Sequence, residues 1–169
     1  MLKNARKDFV KQHRPIKVLL VPDQHNWAFD NIASAIIKYN PYPYAIQYTK
    51  LFIADHPIIN PDEWDYIYVM FEAERYIPSN KQKLVRGCYS SLWLEHYAYS
   101  PQFFGELFSQ SRAAIFVNDN LANAIVPFLT IDTPWTVIYD SSDETVFYPI
   151  ARQKQNHLTA LFVGNTSRP

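Results

Sequence analysis

Cysteine and glycine are both scarce in this chain, and each shortage excludes a class of chemistry. Cys88 is the only cysteine, so no intramolecular disulfide can form and no Cys-rich metal site can be assembled. That usage fits a reducing compartment. The three glycines are Gly87, Gly105 and Gly164. No G-x-G-x-x-G fingerprint and no phosphate loop can be written with them, which removes dinucleotide and ATP cradling of those two kinds. No Asp-x-Asp pair and no G-x-S-x-G elbow occur. His13, His56 and His157 show no metal-ligand spacing with one another.

Long apolar runs are missing as well. The first residues carry charge without the continuous apolar stretch of a signal peptide, and no later run approaches the roughly 20 residues needed to cross a bilayer. A cytoplasmic location is the expectation. The formal net charge is zero, but the charge is unevenly spread. Lys3, Arg6, Lys7, Lys11, Arg14 and Lys17 face a single early acid, Asp8, which leaves the remainder of the chain net acidic. Nucleic-acid binding by the folded body is therefore not expected, because neutralising phosphates needs a basic face. The basic lead-in, residues 1–16, could make weak contact with an anionic membrane surface or a partner, or could be a solvated terminal segment.

What the chain has is apolar and aromatic material in alternating blocks. Its 169 residues suit one α/β domain and are too few for two of ordinary size. The apolar share, 48%, is enough for helix layers packed on a sheet. Within residues 17–22 (KVLLVP), Val18, Leu19, Leu20 and Val21 form an uninterrupted apolar run of the type buried on both faces, hence a central parallel strand. After the polar turn Asp23-Gln24-His25-Asn26, residues Phe29, Ile32, Ala33, Ile36 and Ile37 recur at helical spacing until Asn40-Pro41. A second strand is expected over 44–48, passing into Leu51-Phe52-Ile53 with an irregular extension toward His56-Pro57.

The run 64–71 (WDYIYVMF) predicts a third strand and 83–90 a fourth, followed by a loop through Trp93, Glu95 and His96. Ser100-Pro101 reads as a helix start, with Phe103, Phe104, Leu107 and Phe108 as the buried stripe. A fifth strand follows at 113–117, then a helix capped at Asn118-Asp119-Asn120, a sixth strand at 135–139 and a seventh at 158–163. Strands alternating with helices imply right-handed crossovers and a mainly parallel sheet: a Rossmann-like, three-layer αβα fold of the α/β class. The polar stretch 150–157 reads as a linker. The apolar strand after it looks like the opening of a further domain.

The stretch 137–149 (VIYDSSDETVFYP) resembles the pattern VIPNGVDTxxFxP at the inter-domain junction of GT-B glycosyltransferases, in particular the group 1 or family-4-like members. Val137, Ile138, Asp143, Phe147 and Pro149 fit it without a gap, whereas Tyr139, Asp140 and Ser141 stand where the family has Pro, Asn and Gly. Upstream, RAAIFVNDNLANAI is similar to the family's strand and short helix. Downstream, TALFVGN, with Gly164 and Asn165, is similar to the first strand and glycine of the nucleotide-binding domain. The motifs cover about the last third of the chain. The resemblance implies that residues 17–149 form the acceptor-side lobe and that 150–169 hold the linker and first strand of a donor-binding lobe. It also implies a sugar or glycan acceptor as partner, and no cofactor beyond a nucleotide-sugar co-substrate bound mainly by the second lobe. This chain alone is then expected to be inactive.

In open α/β sheets ligands bind beyond the carboxyl ends of the strands, so polar residues directly after each strand are the candidates. His25 and Asn26 follow the first strand. They read as an acceptor contact or general base, since an imidazole can take a hydroxyl proton, or equally as a helix-capping loop. Glu72 and Glu74 could hydrogen-bond sugar hydroxyls or form a solvated turn with Arg75. Tyr89, Ser90 and His96 follow the fourth strand, where the resemblance implies an important histidine, although a surface loop histidine is the competing reading for His96. Asn118 and Asp119 are helix caps as well as candidates. Trp27 and Trp93 could stack on a sugar ring. A Cys88/His96 nucleophile is disfavoured, because a lone cysteine at a strand end is usually a small core residue. A non-catalytic Rossmann-like binding or regulatory module is the rival to the enzyme reading, since the fold does not fix the function.

Overall fold

The computed structural model describes residues 14–71, 82–89 and 100–139. Six strands, all parallel, form one sheet in the order β2-β1-β3-β4-β5-β6. They are β1 Ile16–Val21, β2 Ile46–Lys50, β3 Tyr66–Val69, β4 Leu84–Cys88, β5 Ala113–Phe116 and β6 Trp135–Val137. Among the described residues three α-helices accompany them: α1 Ala28–Lys38, α2 Pro101–Ser109 and α3 Asp119–Ile125. The fold is α/β and Rossmann-like, with helices on both sides of the sheet. β1 lies between β2 and β3, with Leu19 beside both Thr49 and Ile67. Its Leu19, Leu20 and Val21 are at most 1% exposed, as a strand covered on both faces requires.

The alternation of side chains along the strands divides the core in two. On one face Leu19, Val21, Ile67, Val69 and Leu84 meet Leu51, Ile53, Ile59 and Trp64. Further along the same face Cys88, Ala114 and Phe116 meet Phe104 and Phe108 of α2 and Leu121 and Ile125 of α3. On the opposite face Leu20, Tyr68 and Met70 pack against Phe29, Ile32, Ala33 and Ile36 of α1. Cys88, among the α2 and α3 side chains on the first face, is a buried core residue, 1% exposed.

Local sequence explains where the helices begin and end. The Ser100 hydroxyl accepts the Phe103 N–H at 3.1 Å, with Pro101 in the first turn, and the Asn118 side-chain Oδ1 accepts the Leu121 N–H at 2.9 Å. After α1, the Asn40 side chain bonds both the Tyr42 N–H and the Ile46 carbonyl, which turns the chain into β2.

Several expected boundaries shift. β2 starts at Ile46 rather than 44 and its regular span ends at Lys50, although the Leu51 N–H still bonds the Leu20 carbonyl and so carries the pairing with β1 a step further. The Ile53 N–H bonds the Pro22 carbonyl, and Ile53–Asp55 coil into a 3-10 turn whose apolar side chains cover the sheet face. The link from β2 to β3 is therefore two 3-10 turns rather than a helix. β3 is shorter than 64–71 because Trp64 ends the Pro61–Glu63 turn. β6 stops at Val137. The seventh strand expected at 158–163 and most of the 137–149 stretch lie outside the described residues. Among the described residues no helix is long and apolar enough to cross a membrane.

Candidate functional site at the strand tips

Chain order reverses between β1 and β3: β1 leads outward to β2, and β3 begins the march to β6. Such a reversal opens a crevice at the carboxyl ends of the two strands, and the first loop beyond β1 lies on it. That loop is anchored by its backbone. The Ile53 N–H donates to Pro22 and the Ala54 N–H to Asp23, so the loops after β1 and β2 run side by side.

The pairing brings His25 onto Asp55. The imidazole Nε2 lies 3.1 and 2.9 Å from the two Asp55 carboxylate oxygens, and the ring rests on Phe52 with centroids 3.6 Å apart. With Nε2–H donating to the carboxylate, Nδ1 is the nitrogen left to accept a proton. Both side chains are more than half exposed, so the pair faces solvent between the loops that follow β1 and β2.

A second charged cluster sets the backbone beside it. Asn26 is left-handed, with φ 57°, and His56 likewise at 49°, both unusual for residues other than glycine. The Asn26 N–H donates to Asp30 Oδ2 at 2.9 Å. Asp30 also receives the Lys50 ammonium and, at 3.3 Å, the Ser34 hydroxyl. These bonds hold the Asp30 carboxyl below the usual carboxylate range, the Lys50 hydrogen bond contributing most and the Asn26 N–H next. Lys50 lies 5.1 Å over the Phe52 ring, so the two clusters share one aromatic floor. Trp27, 54% exposed, precedes α1 without capping it through its side chain. The arrangement offers a proton acceptor, fixed charges and an exposed indole within one loop pair.

The other expected residues separate into those used elsewhere and those not described. Tyr89 packs edge-on against Phe29 at 5.2 Å, and its hydroxyl meets that of Tyr68 at 2.5 Å. It belongs to the sheet face beneath α1. Asn118 caps α3, and Asp119 accepts the Tyr139 hydroxyl, which raises the Tyr139 pKa. Both sit at the tip of β5, three strand positions from β1 and thus about 14 Å away at the usual strand spacing. Glu72, Glu74, Ser90, Trp93, His96, Gly164 and Asn165 lie outside the described residues.

Asp55, Phe52, Lys50 and Asp30 were not singled out from sequence. The usable signal was Asp55-His56-Pro57 directly after the second apolar run, at what becomes a strand tip next to β1. No group of three or more potential metal ligands occurs among the described residues. No family model, no curated protein and no solved structure matches the chain.

Proposed function

We propose that this chain is the acceptor-side domain of a glycosyltransferase that takes its sugar from a nucleotide-sugar donor. The observation that carries the reading is the His25–Asp55 pair at the tip of β1 beside the exposed Trp27. A sugar or glycan acceptor would stack on Trp27 and place a hydroxyl at His25 Nδ1. As the acceptor oxygen bonds to the anomeric carbon, the bond from that carbon to the donor phosphate breaks. The hydroxyl proton passes to His25, and Asp55 stabilises the imidazolium that results. The nucleoside diphosphate leaves toward the donor-binding lobe, of which residues 150–169 would supply only the beginning. A cytoplasmic location suits such a donor.

The test is release of nucleoside diphosphate by the full-length protein across a panel of sugar nucleotides and glycan acceptors. Turnover is expected with at least one pair, and His25→Ala should lower it about a hundredfold or more, the usual worth of a positioned base. Absence of turnover across the panel would leave a binding or regulatory module on the same fold. Unchanged turnover in His25→Ala would remove the base assignment.

A further inference from the structure

The loop that carries His25 is held at two points, one on either side of it. Before it, the Asp23 carbonyl accepts the Ala54 N–H at 2.9 Å and the Asp23 carboxylate accepts the Gln24 N–H at 2.8 Å. After it, the Asn26 N–H donates to Asp30. Only Gln24 and His25 lie between these anchors. Asp55 is fixed in a similar way, as the end of a 3-10 turn whose first N–H donates to the Pro22 carbonyl. Each member of the pair is followed directly by a left-handed residue, Asn26 after His25 and His56 after Asp55. Such a backbone persists only where its surroundings enforce it.

At Asn26 the enforcing group is Asp30. Its Oδ2 takes the loop N–H, while its Oδ1 takes the Lys50 ammonium from the end of β2 and the Ser34 hydroxyl from the next turn of α1. Lys50 also donates to the Ser34 hydroxyl at 2.9 Å. One carboxylate thus ties the loop to a helix and a strand that are packed in the fold. The Lys50 and Asp30 side chains are 24% and 14% exposed, so removing either leaves a charge that water reaches poorly. The same Lys50 lies over the Phe52 ring on which the imidazole rests.

We propose that Asp30, clamped by Lys50, is a positioning residue that holds the His25 imidazole on Asp55 and Phe52. The catalytic consequence rests on the acceptor-side reading of His25, whereas the structural consequence does not. Trp27 is held separately, since its carbonyl accepts the Asn31 N–H at 3.1 Å in the first turn of α1. Loss of the clamp therefore displaces the base and leaves the aromatic platform in place.

Proton NMR of the full-length protein tests the structural part. The His25 ring protons, identified by their loss in His25→Gln, feel the ring current of Phe52, and Phe52→Leu gives their unstacked positions. Asp30→Ala and Lys50→Met should both move the signals toward those positions, and Lys50→Arg should keep them at the parental ones. Asp65→Asn, which breaks the ion pair with Arg14 just before β3, should leave them in place. In turnover assays Asp30→Ala should lower kcat about tenfold to a hundredfold with little change in KM. Unmoved signals in Asp30→Ala would overturn the proposal, and Lys50→Met, which removes only an ammonium, decides the matter if Asp30→Ala does not fold. Equal movement in Asp65→Asn would also overturn it, by making the effect one of global stability. So would a raised KM with kcat unchanged, which assigns Asp30 to acceptor binding. Signals that move as expected in a protein without turnover retain the clamp and remove the transferase reading.

Discussion

Replacing Gly105 by alanine sets two known effects against each other, and the packing of α2 decides the sign. In an exposed helix interior, glycine to alanine stabilises by about 0.5–1 kcal/mol, because alanine loses less backbone freedom on folding. Gly105, however, faces the 3-10 turn Val126–Phe128 that follows α3. A Cβ built there would stand 2.4 Å from Phe128 Cβ and 2.7 Å from its carbonyl carbon and oxygen. Backbone atoms cannot swing aside as a side-chain end can, so α2 or the turn must move. Overpacking of this kind costs about 1–3 kcal/mol, which exceeds the propensity gain. The expected net effect is a destabilisation of about 1–2 kcal/mol, or a fall in Tm of roughly 2–8 °C for a chain of this size. Urea unfolding followed by circular dichroism measures it, with the m-value unchanged if the unfolded state is the same. Phe128→Ala should not rescue the variant, since it keeps the Cβ and carbonyl that clash. A Gly105→Ala protein more stable than its parent would refute the seating of α2 on Phe128.

Other expectations follow from single contacts. Ser109→Ala removes a buried hydroxyl that donates to the Gly105 carbonyl at 2.6 Å and accepts the Thr130 N–H at 2.8 Å; a loss of about 1–3 kcal/mol in urea unfolding is expected. Asp65, held down to about 2 chiefly by its hydrogen bond from Arg14 and then by the Lys17 N–H, stabilises the fold most when ionised. Its depressed pKa means the contribution is complete above about pH 4 and vanishes as the pH falls through about 2. The stability gap between the parent and Asp65→Asn should therefore close over that window in acid-unfolding curves, and a gap constant from pH 5 to 2 would contradict it. Gly87→Ala would drive a Cβ to 2.5 Å from the Tyr89 ring and 3.1 Å from the Tyr68 hydroxyl. The near-ultraviolet tyrosine signal should change while the far-ultraviolet spectrum stays. If the full-length protein transfers sugar, Asp55→Asn should lower kcat about tenfold or more with little change in KM, as expected for a carboxylate that acts through its histidine.

Much of the architecture was legible along the chain, and the reason is local. A strand buried on both faces must be apolar at every position, which VLLV shows, and a helix lying on a sheet repeats its apolar residues as Phe29, Ile32, Ala33 and Ile36 do. Caps such as Ser100 and Asn118 act within three residues, so they too could be read directly. Boundaries slipped where a tertiary bond competed with the local pattern. Leu51-Phe52-Ile53 have strand-like composition and keep two backbone bonds to the end of β1, but Ile53 also begins a 3-10 turn and its side chain packs on the sheet face, which ends the regular strand at Lys50.

The candidate site was legible only in half. His25 and Trp27 stood out because polar and aromatic residues directly after a buried strand fall at a carboxyl tip whatever the topology. Asp55 could not be paired with His25 from sequence: the two are 30 residues apart, and they meet only because β2 lies next to β1 in the sheet. The amino-acid sequence thus determined which segments are strands and helices, through burial patterns that each segment carries within itself. Strand order, which depends on hydrogen bonds between distant segments, was decided by the tertiary structure, and with it the partner of His25.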